Sequence, residues 1–169
     1  MGKELYVSTL IRNVYEAAGM KLTGIPQFEF EGSRYKACRF ELNNRTIFFR
    51  VAKTTPIKIG QFVTLWKRST SKAVIAPLDI SDGVDFVVIT VSDAAHHGQF
   101  VFNQKFLVET GIISRDHKDG KLSFRLYPPW TKPMSKIALK TQLRQLHYFF
   151  PIAQNGTADS ALVRKLFNV

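Results

Sequence analysis

Tyr35-Lys-Ala-Cys-Arg-Phe-Glu-Leu-Asn-Asn-Arg-Thr-Ile-Phe-Phe-Arg-Val-Ala-Lys53 is the stretch whose reading decides the fold. Residues 35–42 alternate apolar and polar, and residues 46–53 are rich in aromatic and β-branched side chains, so each half predicts a strand. Between them stands Asn43-Asn44, and asparagine tolerates the left-handed backbone that a two-residue hairpin turn requires. A turn of that length fixes the register. Cys38, Phe40, Ile47, Phe49 and Val51 then share one face, and Tyr35, Arg39, Glu41, Phe48 and Arg50 share the other. The first face is apolar and belongs in a core. The second mixes charge with aromatic surface and is the face on which a site is expected.

Working outward, residues 4–18 carry Val7, Ile11, Val14 and Ala18 at helical spacing, with Gly19 as the stop, and residues 27–31 alternate like a strand. Downstream, residues 54–60 form a basic loop with Pro56, residues 61–67 a strand, and residues 69–73 an exposed turn. Residues 84–91 are almost continuously apolar, which predicts a central strand covered on both faces. A strand over 99–102 follows. Asn103 is placed to cap a helix over 104–110 that Gly111 ends, and Asp119-Gly120 turns into a strand over 121–127, closed by Pro128-Pro129. The last strong helix is expected over 134–149, with Leu139, Leu143, Leu146 and Phe150 as its apolar stripe and Lys136, Lys140 and Arg144 along a separate line. Residues 151–169 form a C-terminal tail. No repeat and no long linker interrupts the chain, so the expected architecture is a single α+β domain over 1–169, a mixed β-sheet flanked by helices.

The sequence has 24 Lys+Arg against 13 Asp+Glu, a net charge of +11. Charged side chains are rarely buried unless paired, so this excess lies on the surface and attracts polyanions, with nucleic acid the expected partner and DNA ahead of RNA. No window has the length of a membrane span, no signal-peptide apolar region opens the chain, and no basic helix has the large opposed apolar face of an interfacial helix, so a cytoplasmic location without membrane contact is expected. The lone Cys38 fits, since it forms neither an internal disulfide nor a zinc site and reads as a buried thiol. Glycine-rich nucleotide loops, the Gly-x-Ser-x-Gly elbow and the His-Glu-x-x-His zinc motif are all absent. His96, His97, His117 and His147 are not spaced as a metal set.

The cations with the clearest functional reading are Arg50, Lys53, Lys58, Lys67 and Arg68, with Thr54, Thr55 and Gln61 as neutral donors; Lys136, Lys140 and Arg144 add a second basic line. Lysine and arginine supply the sequence-independent attraction to phosphate, and hydroxyls and amides fix register on the backbone. The competing expectation is that Arg50 and Lys53 only pair with Glu31, Glu41 or Asp85. Trp66 and Trp130 are of the type that stacks on bases, or are partial core. The acids Glu29, Glu31 and Glu41, with Asp79, Asp82 and Asp85, would permit magnesium-assisted phosphodiester hydrolysis if two or three of them met beside Lys53. For Asp79 and Asp82, turn chemistry is the simpler reading.

Residues 35–42 and Phe49-Arg-Val-Ala-Lys-Thr-Thr-Pro-Ile-Lys-Ile-Gly-Gln-Phe-Val-Thr-Leu-Trp-Lys-Arg68, followed in order by Asp82-Gly-Val-Asp-Phe-Val-Val-Ile, Gly98-Gln-Phe-Val-Phe, Gly111-Ile-Ile-Ser and Tyr127-Pro-Pro-Trp, resemble the MepB family over residues 27–150. The family is known mainly from bacterial proteins of unsettled role, and its members look like the core of the restriction-endonuclease-like superfamily. That resemblance implies a nucleic-acid-binding mixed sheet whose motif places an acid on one strand and acid-x-Lys on the next. Here the second element reads Val51-Ala52-Lys53, with valine where the acid belongs. The expectation is therefore non-catalytic binding to the phosphate backbone, with no cofactor. The alternatives are a magnesium-dependent nuclease using Lys53 with Glu31 or Glu41 as substitute ligands, and a protein-binding accessory module.

Overall fold

The computed structural model describes residues 2–68 and 74–169, so the expected 69–73 turn lies outside the described residues. Helix α1 (Lys3–Leu10) runs straight into a π-helical segment, Ile11–Glu16. Strand β1 (Leu22–Phe28), the hairpin β2 (Cys38–Leu42) and β3 (Arg45–Val51), and the short strands β4 (Lys53–Thr54), β5 (Gln61–Thr64), β6 (Trp66–Arg68) and β7 (Ile75–Pro77) follow. The second half contains β8 (Phe86–Ser92), β9 (His97–Asn103), α2 (Gln104–Glu109), β10 (Ser123–Leu126), α3 (Lys136–Gln145), β11 (Phe149–Pro151) and α4 (Ser160–Leu166).

Six strands form one mixed sheet in the order β1-β2-β3-β8-β9-β11, with β3 and β8 parallel and every other pair antiparallel. The hairpin closes in the expected register: Asn43 and Asn44 take φ of +50° and +61°, and Cys38 pairs with Phe49 and Phe40 with Ile47. Because directly opposed residues share a face, this register separates two cores. One holds Cys38, Phe40, Ile47, Phe49, Phe86 and Val88 under α1 and α4; the other holds Phe48, Val87, Ile89, Val91, Phe100 and Phe102 under α2 and a second, smaller sheet. Phe86 to Val91 is buried throughout, as its apolar run predicts. Burial pushes the Cys38 thiol up to about 12, which makes it an inert core group. Residues 151–169 are not a loose tail: β11 covers the β9 edge, and Phe167 sits edge-on to Tyr15 with ring centres 5.5 Å apart.

Four local expectations are corrected. The strand expected over 27–31 ends at Phe28, and Glu29, Phe30 and Glu31 leave the sheet into a loop that turns at Gly32. Tyr35 lies in a short 3-10 turn rather than on β2, and its ring meets Phe62, 6.4 Å between centres. The run over 61–67 breaks at Leu65 into β5 and β6, which belong to different sheets. The helix expected over 134–149 ends at Gln145, and its apolar stripe divides: Leu146 and Phe150, in the following 3-10 turn and β11, pack into the two cores, whereas the α3 half stays outside. Leu139 and Leu143 are 46% and 58% exposed, and the helix instead buries Gln142 and Gln145.

The reason lies in what α3 packs against. Prolines at 128 and 129 follow β10 and extend no ladder, and β10 is itself the edge strand of its sheet, so carbonyls there face α3 rather than another strand. The Gln142 amide donates to the carbonyls of Pro128 and Thr131, at 2.9 and 2.8 Å. Gln145 donates to the Arg125 carbonyl at 2.9 Å and accepts from the Tyr127 N–H at 2.9 Å. A buried carbonyl without a donor is costly, and the two amides on the inner face of α3 supply the donors.

Candidate functional site

The smaller sheet, ordered β10-β5-β4, lies over the second core and pushes Val63, Phe124 and Leu126 inward. Its register pairs Lys53 with Phe62 and Phe62 with Arg125, and Thr64 with Ser123, so these five side chains stand on its outer face. Two clefts open along that face, one on each side of the Thr64–Ser123 pair.

The first cleft, of about 360 Å³, is walled by the 29–32 loop, Arg39, Phe48, Arg50, Thr64 and residues 66–68. Its cations are answered by acids. Arg50, only 3% exposed, donates to the Phe49 carbonyl at 2.9 Å and to Glu29 at 3.3 Å. Burial draws its pKa down, and the Glu29 carboxylate opposes that shift. Arg39 reaches the other Glu29 oxygen at 3.7 Å while lying 4.2 Å over the Phe48 ring. Lys67 bonds Asp82 at 2.7 Å and Arg68 bonds Glu31 at 2.6 Å. Asp82 is fixed in turn by accepting from the backbone N–H of Asp79, the reciprocal half of a capping box on the 80–82 turn, which is the turn chemistry expected there.

The second cleft, of about 300 Å³, lies between β10 and α3 and is lined by Lys121, Arg125 and Arg144 with the hydroxyls of Thr110, Ser123 and Thr141. No carboxylate lines it, and among the described residues none comes within ion-pair distance of those three cations. Arg125 is held by neutral acceptors: its Nη2 donates to Thr55 Oγ1 at 2.7 Å, and its Nη1 donates to the Ile59 carbonyl at 3.3 Å. These bonds draw the 54–60 loop against β10. Gly60 is required where they meet, since its φ is +86° and a Cβ there would stand 2.7 Å from the Leu126 carbonyl.

A family model described as MepB-like matches residues 29–151. The chain belongs to the MepB-like family. It is also similar to a solved crystal structure of MepB, with 32% identity, a TM-score of 0.73, and coverage of 89% of this chain and 97% of that one. No curated protein sequence matches it. The mixed sheet with helices over both faces is compatible with the restriction-endonuclease-like core that the resemblance implied.

This MepB-like fold disperses the expected site residues. Arg50, Glu31, Lys67 and Arg68 meet in the first cleft. Lys53 does not join them, because the chain leaves the main sheet after the Ala52 N–H bonds the Thr90 carbonyl, and Lys53 begins the smaller sheet. Glu41 lines a different recess and accepts from Thr23 at 3.2 Å. Gln61 is 5% exposed and points inward, where its amide bonds the Ser92 carbonyl, so it is no surface donor. Arg50 pairs with an acid as the competing expectation held, but with Glu29 rather than Glu31, Glu41 or Asp85. Thr55 and Lys58 belong to the loop held by Arg125, and Lys136 and Lys140 are exposed on α3, two turns and one turn before Arg144. Magnesium held by Glu31 and Glu41 beside Lys53 is not supported by this donor set, since the three residues lie apart and, among the described residues, no three His, Cys, Asp or Glu side chains are grouped to hold a metal. Trp130 is committed within the fold, stacked on His96 at 4.8 Å and edge-on to Phe149. Among the described residues no helix is long and apolar enough to cross a membrane. Lys121 and Arg125 were not among the expected contacts, although the alternation Lys121-x-Ser123-x-Arg125-x-Tyr127 marks an outward polar row with two cations and no acid.

Proposed function

We propose that this MepB-like chain is a cytoplasmic nucleic-acid-binding protein that grips the phosphate backbone without cutting it. The second cleft carries the reading: three cations converge there beside the hydroxyls of Ser123 and Tyr127, while those of Thr110 and Thr141 are spent on the Phe106 and Ile137 carbonyls, and among the described residues no carboxylate lines it. Phosphate oxygens are acceptors only, so a phosphate site needs donors and no competing acid. Lys53 and Lys58 lie beyond Arg125 on one side, and Lys140 and Lys136 beyond Arg144 on the other, which makes the cleft the centre of a cationic track. Among the described residues Glu31, Glu41 and Lys53 lie in three different places, which supports the binding reading. The buried, unpaired Cys38 suits a reducing compartment.

The test is fluorescence anisotropy of labelled duplex and single-stranded oligonucleotides from 50 to 300 mM salt, with magnesium or EDTA. Affinity is expected to fall with a log-log slope of about 0.9 per phosphate bound on duplex. Absence of binding at 50 mM salt sinks the proposal, and magnesium-dependent cutting that Lys53→Ala abolishes replaces it with the nuclease reading.

A further inference from the structure

The first cleft lacks the chemistry of a pure phosphate site. A base edge presents donors and acceptors side by side, whereas a phosphate presents acceptors alone. The first cleft offers both partners, guanidinium and ammonium donors at Arg39, Arg50, Lys67 and Arg68, and carboxylate acceptors at Glu29 and Glu31. Arg50 is its fixed element, since its two bonds hold the planar fork in one orientation inside a 3% exposed setting. Trp66 supplies a half-buried ring on the wall, and Phe30, 90% exposed, supplies a second ring at the mouth. The cleft also adjoins the phosphate-type cleft, because Thr64 lines the first, Ser123 lines the second, and the two are directly paired across β5 and β10.

We infer that the first cleft receives a single unstacked nucleobase from a strand whose phosphates lie in the second cleft, so the ligand is single-stranded. This rests on the nucleic-acid reading above and adds the part of the ligand that a duplex cannot present, because its bases are stacked and paired. Trp66 is the stacking surface, and Glu29, held in place by the buried Arg50, meets the base edge together with the half-exposed Arg39. Stacking on one aromatic ring contributes a factor of roughly 5 to 100 in affinity by alanine substitution.

The experiment uses the full chain with Trp130→Phe, which leaves Trp66 as the sole tryptophan of the two in the sequence. Uncharged nucleosides, guanosine, adenosine and cytidine, are titrated while Trp66 fluorescence is followed, with inorganic phosphate as the control. In parallel, Trp66→Ala and Trp66→Phe in the otherwise unchanged protein are compared on single-stranded and duplex oligonucleotides. Expected are saturable quenching by nucleosides and none by phosphate, a loss of single-strand affinity on the order of tenfold in Trp66→Ala with duplex affinity unchanged, and recovery in Trp66→Phe. If nucleosides leave Trp66 unquenched, or Trp66→Ala binds single strands like the parent, the base pocket is overturned while phosphate binding at the second cleft stands. If the parent protein binds neither oligonucleotide at 50 mM salt, the nucleic-acid reading itself has failed and takes the pocket with it.

Discussion

In the first cleft Arg50 and Arg39 share Glu29, Lys67 holds Asp82 and Arg68 holds Glu31; in the second, bordering it across the Thr64–Ser123 pair, Arg125 is bonded to carbonyls and a hydroxyl, and among the described residues no acid reaches Lys121 or Arg144. The two clefts draw on the same residue types and differ in where the thirteen acids fall. A net charge of +11 therefore locates nothing by itself. Paired cations cancel their field within a few ångströms, and the potential that steers a polyanion comes from those left unanswered.

The largest effect is expected where charge is unanswered. Replacing Lys121, Arg125 and Arg144 together with alanine should weaken oligonucleotide binding at least 100-fold, about 2.7 kcal/mol, with duplex and single strand affected alike. The salt slope should fall by about 0.9 for each duplex phosphate that the variant no longer neutralises. If the triple variant instead keeps its slope, the second cleft is not the phosphate site and the contrast between the clefts loses its functional meaning.

In the first cleft the same operation is read in stability. Glu29→Ala strands a guanidinium that is almost fully buried, and because the Glu29 side chain itself is one-third exposed the cost falls below that of a fully buried pair, about 2 kcal/mol. Urea denaturation checks it, with Lys121→Ala as the counterpart whose midpoint should barely move, within about 0.5 kcal/mol. Duplex affinity should not drop in Glu29→Ala, since an acid is removed. Equal stability losses in the two variants would mean that the clefts do not divide structural from binding cations.

A smaller effect is expected from the support behind the second cleft. Gln142→Ala takes from the Thr131 carbonyl its side-chain donor and from the Pro128 carbonyl one of two, the Thr131 N–H remaining, and should cost about 1–3 kcal/mol in stability. Because α3 is then no longer tied to the chain following β10, the variant should also bind nucleic acid more weakly at fixed salt, with an unchanged salt slope, the mark of a positioning residue rather than one that touches the ligand.

These contrasts also show what the sequence could and could not disclose. The hairpin register was legible because Asn43-Asn44 admits one turn and the side-chain alternation then fixes both faces, and the central strand was legible because six successive buried positions leave no polar residue but Thr90. The outer surface of α3 was misread for a physical reason. Hydrophobic spacing assumes that the buried stripe is apolar, and here the carbonyls of Pro128 and Thr131 after β10 and of Arg125 on its open edge draw glutamine, not leucine, to the inner face. The position of Lys53 was misread because nothing in Val51-Ala52-Lys53 signals that the strand changes sheets at Ala52. Ion pairing was the hardest to see: Glu29 and Arg50 are 21 residues apart, and only the loop after β1 brings them together. The second cleft could have been found from an acid-free row on β10 facing an acid-free line on α3, had absence of carboxylates been weighted as heavily as presence of lysines.

The gentlest way to separate the clefts is acid. Asp79 is buried and accepts from the N–H and hydroxyl of Ser81, the hydroxyl of Ser114 and the N–H of His117, and these bonds hold its carboxyl well below the usual carboxylate range. Its folded pKa is therefore lower than its unfolded one, near 3.9, so the unfolded chain takes up the proton first. The stability it contributes is complete above that unfolded value and declines as pH falls below it. Asp79 also donates its backbone N–H to Asp82, the acid that holds Lys67 in the first cleft. Lowering pH from 7 to 5 should change neither stability through Asp79 nor duplex affinity through the second cleft, whose lining has no carboxylate to titrate. Below about pH 4 the denaturation midpoint should slide, and Asp79→Asn should flatten that slide while lowering the midpoint at neutral pH. A midpoint that already falls between pH 7 and 5 in the parent and not in His97→Gln would assign the loss to His97 instead, whose burial lowers its pKa and makes it, too, a group that destabilises when forced to charge.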